Sequence, residues 1–270
     1  YYPNPATAQY SLGLQQELAP SIVGVFQYVG SGGWNQPDQR NINPVPLGDL
    51  THRQALASGA SANLYRVYPG FAVVNQEENA SNASYNSMQA ALRIENKHGL
   101  TAQFAYTWSH EIDIASGDLG STNPAGGNSW VSNPFDITYD RGSGVLDRRH
   151  IFSANYVYNL PTFQRGNLWQ REALGGWVLS GVTVAQTGAP RLVRYSPDVL
   201  GFGGNAANRP NLVGKVSGAR TQQAWFNTSA FAAPTAEWAG GANHGFGTAG
   251  KDSILGPGLQ NWNLSLFKAF

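Results

Sequence analysis

The sequence contains no cysteine, and this absence excludes both a disulfide framework and a metal site built on thiolates. Charged residues make up 12% of the chain, about half the share in a typical globular protein. The net charge is +1 and the lysines and arginines are scattered, so nucleic acid is not an expected partner. No run of about 18 apolar residues occurs, which excludes a membrane-spanning helix. The same absence does not exclude a membrane β-barrel, because its strands need only about 9–11 alternating residues.

The first ten residues, YYPNPATAQY, lack the basic start and apolar core of a secretory signal peptide. We therefore expect either that a leader has been removed or that the chain is an internal piece of a longer protein. In place of charge, the 270 residues include 32 Gly and 15 Pro. This composition favours many strands joined by turns and loops over helices.

Alternation of apolar and polar residues is the dominant pattern. In GLTAQFAYTWSH, residues 99–110, the even positions through Trp108 are apolar and the odd positions are small or polar. A soluble sandwich turns such an apolar face inward, whereas a membrane barrel turns it outward to lipid and places aromatic girdles at the headgroups. The same period recurs in residues 8–18, 86–94, 150–160 and 260–270.

These segments predict an all-β, antiparallel fold of the outer-membrane barrel type, with about eight to ten strands. Residues 8–18 and 21–30 predict a hairpin that turns at Ala19-Pro20. A turn over residues 96–99 joins 86–94 to 99–110 in a second hairpin. Residues 150–160 and the following segment GGWVLSGVTVAQTG form a third, although the latter segment is apolar on both faces.

Long, weakly patterned stretches are predicted to be loops at about residues 31–69, 111–146 and 190–259. Short turns at one end and long loops at the other are typical of outer-membrane barrels. A further strand is predicted near 71–79, and strand direction then requires one more strand hidden within 31–69. We expect a single domain over 1–270, either a fragment of a larger barrel or a small closed barrel.

The apolar faces carry aromatic side chains that we predict to point away from the lumen. They are Phe104, Tyr106, Trp108, Tyr156, Tyr158, Trp262 and Phe270. Lys268 interrupts the apolar face of the last segment, where its long side chain can reach the headgroups.

Candidate chemistry is sparse. The histidines lack the spacing of a local metal site, and neither a metal nor a cofactor is predicted; they are His52, His98, His110, His150 and His244. His110 with Glu111, Asp113 and Asp118 is a candidate site for a divalent cation, because the closely spaced carboxylate oxygens suit calcium, but a solvated polar loop is the favoured interpretation. No Gly-x-Ser-x-Gly nucleophile motif occurs with a partnered histidine and acid, so no catalytic residue is predicted.

The basic cluster Asp147-Arg148-Arg149-His150 opens a strand near Asp140-Arg141. One interpretation is contact with lipopolysaccharide phosphates. Mutual ion pairing at the base of a loop is the favoured interpretation.

Several collinear segments resemble the C-terminal barrel of TonB-dependent outer-membrane receptors. They begin with QYSLGLQQEL, APSIVGVFQYVGS, VYPGF, SNASYNSMQAALR and HGLTAQFAYTWSHEID. The resemblance continues through YDRGSGVLDRRHIFSANYVYNLP, LGGWVLSGVTVAQTGAP, RPNLVG, WFNTSAFAAP and FGTAGKDSILGPGLQNWNLSLFKAF. The most similar group is the Oar-like set, which carries a carboxypeptidase-regulatory-like domain at the N-terminus. The resemblance implies a barrel of about 22 strands, a plug domain and energy supplied through TonB.

These observations lead to two functional hypotheses. A third hypothesis, that the protein is an enzyme, is the least favoured. The first is part of a non-enzymatic TonB-dependent receptor or transporter barrel in the bacterial outer membrane, with the plug and remaining strands as partners. The second is a self-assembling subunit of an extracellular tube or fibre, in which copies of the chain pair through their edge strands. In the first case outer-membrane lipid surrounds the strands.

Overall fold

The computed structural model describes residues 3–47, 50–117, 130–161, 167–168, 173, 175–195, 209–235 and 245–268. Helix is scarce among them: α1 (Leu50–Ala57) and 3-10 turns at Ala62–Leu64, Ile137–Asp140 and Thr228–Ala230. Within the same residues, no helix has both the length and the apolar character needed to cross a membrane.

Strands dominate the described part of the chain. Their bounds are β1 (Ala6–Ala19), β2 (Ile22–Asn41), β3 (Asn75–Lys97), β4 (Leu100–Asp113), β5 (Gly142–Ser143), β6 (His150–Asn159), β7 (Trp177–Gln186), β8 (Pro190–Arg191), β9 (Asn211–Leu212), β10 (Phe231–Ala232), β11 (Ile254–Leu255) and β12 (Leu259–Lys268). Seven of them are ten residues or longer.

The seven long strands form one antiparallel sheet in the order β1-β2-β3-β4-β6-β7-β12. β5 pairs with the end of β4 and completes the sheet of eight strands. Two separate small ladders, β9 with β10 and β8 with β11, lie in the long connections. The predicted all-β, antiparallel architecture is therefore confirmed.

The three predicted hairpins are present. β1 and β2 are joined through Pro20 and Ser21, and Ser21 has a positive φ of 67°. β3 and β4 turn at His98 and Gly99, where a Cβ on Gly99 would lie 2.6 Å from the carbonyl oxygen of Asn159. This close approach by β6 accounts for glycine at the turn. β6 pairs with β7, as expected.

Two of the predicted boundaries were wrong. β2 continues to Asn41, so the first long connection begins at residue 42 rather than near 31. Residues 75–79 open β3 instead of forming a separate strand near 71–79, and no hidden strand is needed for the directions to alternate. The sequence NQEENASNAS at the start of β3 is polar or small at every position, so it carries no period-two signal.

The sheet is open. β1 and β12 are its two edges, and the described residues form no ladder between them. The apolar core also lies away from the sheet: of the 11 buried hydrophobic residues in the described part of the chain, only Ala102 and Ala154 belong to the long strands. The others come from the connections, where residues 43–45, 113–116, 130–147, 209–212, 230 and 245–254 pack together at the end of the sheet opposite the short turns; we call this region the loop cluster.

Candidate functional site

One face of the sheet is apolar and exposed. Residues paired directly across antiparallel strands point to the same face, so the register links this face from edge to edge. It carries Leu12 and Leu14 on β1, which are 79% and 66% exposed, and Leu264 and Leu266 on β12, at 59% and 60%. A soluble protein covers such a surface, because each large apolar side chain left in water costs roughly 1.5–3 kcal/mol relative to burial.

Tyrosine hydroxyls mark the loop-side end of this apolar face. The hydroxyls of Tyr10 and Tyr28 both donate to Asn86 Oδ1, at 3.4 and 2.6 Å. Tyr106 Oη lies 2.7 Å from His150 Nδ1, and the two rings stack at 6.1 Å. Rings on an apolar surface with hydroxyls bonded to polar groups at one end are typical of a membrane interface.

A second aromatic group marks the turn-side end. Tyr156 covers Gly181, where a Cβ would lie 2.7 Å from the tyrosine hydroxyl oxygen. Lys268 Nζ donates to the carbonyl oxygen of Gly175 at 2.7 Å and lies 5.2 Å from the centroid of the Trp177 ring. Lys268 is therefore held beside an aromatic ring at the end of β12.

The spacing of the two aromatic groups fits a lipid bilayer. Trp108 pairs with His150 at the loop side, and Leu100 pairs with Tyr158 at the turn side of the same two strands. Eight residues of β4 separate the two rows, which gives about 27 Å along the strand. At the usual strand tilt this becomes about 20 Å, close to the apolar band of about 25 Å found in outer-membrane barrels.

The opposite face is mostly polar between these rows, and its charged residues include Glu17 and Arg93. One register row crosses it through Glu17, Val23, Arg93, Gln103, Asn155, Val182 and Asn263. Amides and hydroxyls supply the rest of its polarity, with valines on β7. The sequence of β7 is apolar on both faces, and the register shows which of its residues lie on the polar face of the sheet.

The predicted aromatic residues share a face where they are described. Pairing places Phe104, Tyr106 and Trp108 on the face that carries the other three described members, which are Tyr156, Tyr158 and Trp262. Phe270 lies outside the described residues. That this face points away from a lumen stays a prediction.

The loop cluster contains a buried ion pair between distant parts of the chain. Lys251 Nζ contacts Asp113 Oδ1 and donates to the carbonyl oxygen of Ile114 at 3.0 Å. Ser116 Oγ donates to both carboxylate oxygens of Asp113, at 2.7 and 2.6 Å. The side chains of Lys251 and Asp113 are 9% and 6% exposed. The favoured interpretation of Asp113 as part of a solvated loop was therefore wrong.

A second group of ion pairs joins the end of β4 to residues 147–149, at the base of the connection between β4 and β6. Asp147 Oδ2 accepts from Arg149 Nε at 2.9 Å and lies 3.2 Å from His110 Nδ1. His110 Nε2 lies 3.1 Å from Arg149 Nη2, and Asp147 Oδ1 accepts from the backbone N–H of Glu111 at 3.1 Å. Ion pairing at the loop base is thus confirmed for Asp147. Asp140 instead faces Arg209, at 3.7 Å.

Asp38 is a buried carboxylate near the outer end of β2. It is fully buried, and neither carboxylate oxygen has a hydrogen-bond partner within the described parts of the chain. Its burial and the neighbouring Glu78 carboxylate raise the pKa of Asp38 to about 6, and Ser81 and Arg40 lower it by less. Ten residues of β2 separate Asp38 from Tyr28, which puts it about 30 Å beyond the aromatic row and outside the apolar band.

The remaining candidates do not assemble into a metal site. Among the described residues no three histidine or acidic groups lie close enough to hold an ion. Asp113 faces an ammonium group instead, and Asp118 and His244 lie outside the described residues. His98 occupies a turn with a φ of 50°, and His52 belongs to α1.

The sequence reasoning missed the loop residues that hold this region together. Asn43 is fully buried: its Nδ2 faces the carbonyl oxygens of Tyr68, Phe71 and Ala72, and its Oδ1 accepts from the backbone N–H of Tyr68 at 2.9 Å. Arg209 and Lys251 were also missed. The available signal for Arg209 was a single charged residue in a glycine-rich stretch of a chain with few charges, and for Lys251 it was the adjacent charged pair Lys251-Asp252 in a similar stretch.

Comparison with known proteins gives one family. The outer membrane beta barrel domain family matches residues 1–270. Among solved structures, the chain is similar to the outer membrane transporter YddB from Escherichia coli, with 13% identity and a TM-score of 0.43. That likeness covers 72% of this chain and 22% of the transporter chain, so the sequence spans about a fifth of that protein. None of the curated proteins matches.

Proposed function

Because the chain belongs to the outer membrane beta barrel domain family, we propose that it forms part of the wall of a TonB-dependent receptor or transporter barrel. The protein is located in the bacterial outer membrane. In this proposal the chain is one unit of the wall, without catalytic activity. Its two open edges, β1 and β12, continue into further strands and so close the barrel.

The exposed apolar face carries this proposal. Large apolar side chains cover it from β1 to β12, and the buried core lies in the loop cluster instead. In this proposal the apolar face contacts lipid and the polar face lines the lumen of the barrel. The aromatic residues Phe104, Tyr106, Trp108, Tyr156, Tyr158, Trp262 and Phe270 would point toward lipid.

Site-directed spin labelling tests the orientation of the two faces. The chain has no cysteine of its own, so single-cysteine variants can be labelled cleanly. Leu264→Cys and Asn263→Cys are neighbours on β12 that point to opposite faces. In the intact protein in bilayers, we expect the label at 264 to be relaxed more by oxygen, which concentrates in lipid. The label at 263 should respond more to a water-soluble nickel chelate. The reverse pattern would refute the proposal.

The open edges also favour a second candidate, a self-assembling tube or fibre in which β12 of one copy pairs with β1 of the next. Head-to-tail pairing that does not close produces a filament. The mass of the native particle, compared with the length of its gene, separates the two functions. We expect one copy per particle; a particle of many copies would favour the filament.

A further inference from the structure

A cavity of about 520 Å³ opens in the loop cluster. Its walls include the rings of Phe135, Tyr139 and Phe246 and the side chains of Arg141 and Arg209. Tyr139 and Phe246 meet edge to face with ring centroids 5.2 Å apart, and the Tyr139 hydroxyl donates to the carbonyl oxygen of Gly247 at 2.7 Å. The size is that of a small-molecule site, and these contacts hold the rings of Tyr139 and Phe246 in place.

Arg209 places a buried positive charge at the cavity wall. It is 2% exposed, and its guanidinium carbon lies 3.5 Å from the centroid of the Tyr139 ring. Its Nη2 donates to the carbonyl oxygen of Tyr139 and pairs with Asp140 Oδ1 at 3.7 Å, whereas its Nε has no acceptor among the described residues. The other oxygen of Asp140, Oδ2, accepts from the backbone N–H of Ser132. The donor that Nε leaves unpaired favours an anion in the cavity.

Arg141 offers its whole guanidinium group to a ligand. Its backbone N–H donates to the carbonyl oxygen of Thr138 at 3.0 Å, which fixes the base of the side chain. The exposed side chain itself has no hydrogen bond or ion pair with the described residues. Asp136, the acidic residue of the cavity wall, accepts from the Thr138 backbone N–H and hydroxyl at 3.0 and 2.6 Å.

We propose that this cavity binds a small aromatic carboxylate, an inference that rests on the proposed receptor function and names its ligand class. A carboxylate matches the planar fork of Arg141 with two parallel hydrogen bonds, and the buried charge of Arg209 adds attraction. The ligand ring packs against the aromatic walls formed by Phe135 and Phe246. The chemistry of the cavity thus calls for a charged head and a flat apolar body in one molecule.

Calorimetric titration of the intact protein in detergent tests this inference with benzoate as the probe. Benzamide has the same shape without the charge, and acetate has the charge without the ring; we expect both to bind at least about tenfold more weakly. Arg141→Gln should weaken benzoate binding about tenfold, and Arg141→Lys should restore only part of it. Arg220→Gln makes the same charge change at an exposed position that does not line the cavity, and should leave binding unchanged.

Three results would overturn the inference: no saturable benzoate binding, equal binding of benzoate and benzamide, or tighter binding of inorganic phosphate than of benzoate. Unchanged benzoate affinity in Arg141→Gln would overturn it as well. The spin labels at 263 and 264 separate this failure from failure of the receptor proposal. If the labels report lipid and water as expected while benzoate does not bind, only the ligand class is wrong.

Discussion

Lys251 and Asp113 show at the scale of single residues how the loop cluster depends on paired charge. Lys251→Met leaves the Asp113 carboxylate buried without its counter-charge, and we expect it to lower the free energy of unfolding by about 3–5 kcal/mol. The double variant Lys251→Met with Asp113→Leu removes both charges and should recover most of this loss. Denaturant titration of the intact protein in detergent measures both. Lys215→Met, at an exposed position, is the control; equal losses in Lys215→Met and Lys251→Met would contradict the prediction.

Asp38, at the loop end of β2, makes the free energy of unfolding depend on pH. Its pKa is raised to about 6 in the folded protein from 3.8, so the folded state holds the proton more tightly between these values. Stability from this group is therefore full below about pH 4 and is lost as the pH rises through about 6. Asp38→Asn keeps the shape without the charge. Relative to the natural protein, we expect the unfolding free energy of Asp38→Asn to increase by about 2 kcal/mol between pH 4 and pH 7.5.

The comparison of Asp38→Asn with the natural protein at each pH cancels the titration of other groups. A difference in unfolding free energy that stays constant from pH 4 to pH 7.5 would show that Asp38 does not titrate in this range.

At the scale of elements, the sequence predicts strands only where the two faces meet different surroundings. Residues 86–94 of β3 lie in the apolar band and alternate clearly, whereas residues 75–84 extend beyond it and are polar or small on both faces. For the same reason the strand over residues 31–41 of β2 was not predicted, and two glycines and Pro37 there suggest a loop. Pro37 is tolerated because the ladder with β3 shifts register beside it and because the ladder with β1 reaches no further than Trp34.

Local signals predicted the three hairpins and little else of the topology. The pairing of β7 with β12 joins elements separated by more than 70 residues, and no turn motif announces it. The loop cluster was equally hidden, because Asp113 and Lys251 are 138 positions apart. By contrast, Asp147 and Arg149 are two residues apart, and that ion pair was predicted.

At the scale of the whole molecule, the two edge strands are predicted to be paired on both sides in the native particle. In an antiparallel ladder the amides of a strand point alternately to its two neighbours. A free edge therefore protects only every second amide, and each unpaired group in lipid costs several kcal/mol. We expect slow hydrogen exchange at consecutive residues of 8–16 and 262–268, measured in bilayers. Alternating fast and slow amides along both segments would contradict it, and residues 219–223 serve as an exposed reference.

The long reach of the contacts in the loop cluster determines when that region can form. Tyr139 bonds to Gly247 across 108 residues, and Ser143 bonds to Asp252 across 109. Closing such long stretches of chain costs more entropy than closing a hairpin, so the hairpins form first and bring the ends together. We therefore expect the cluster to be the last part of this chain to acquire its structure, so that its closure completes folding.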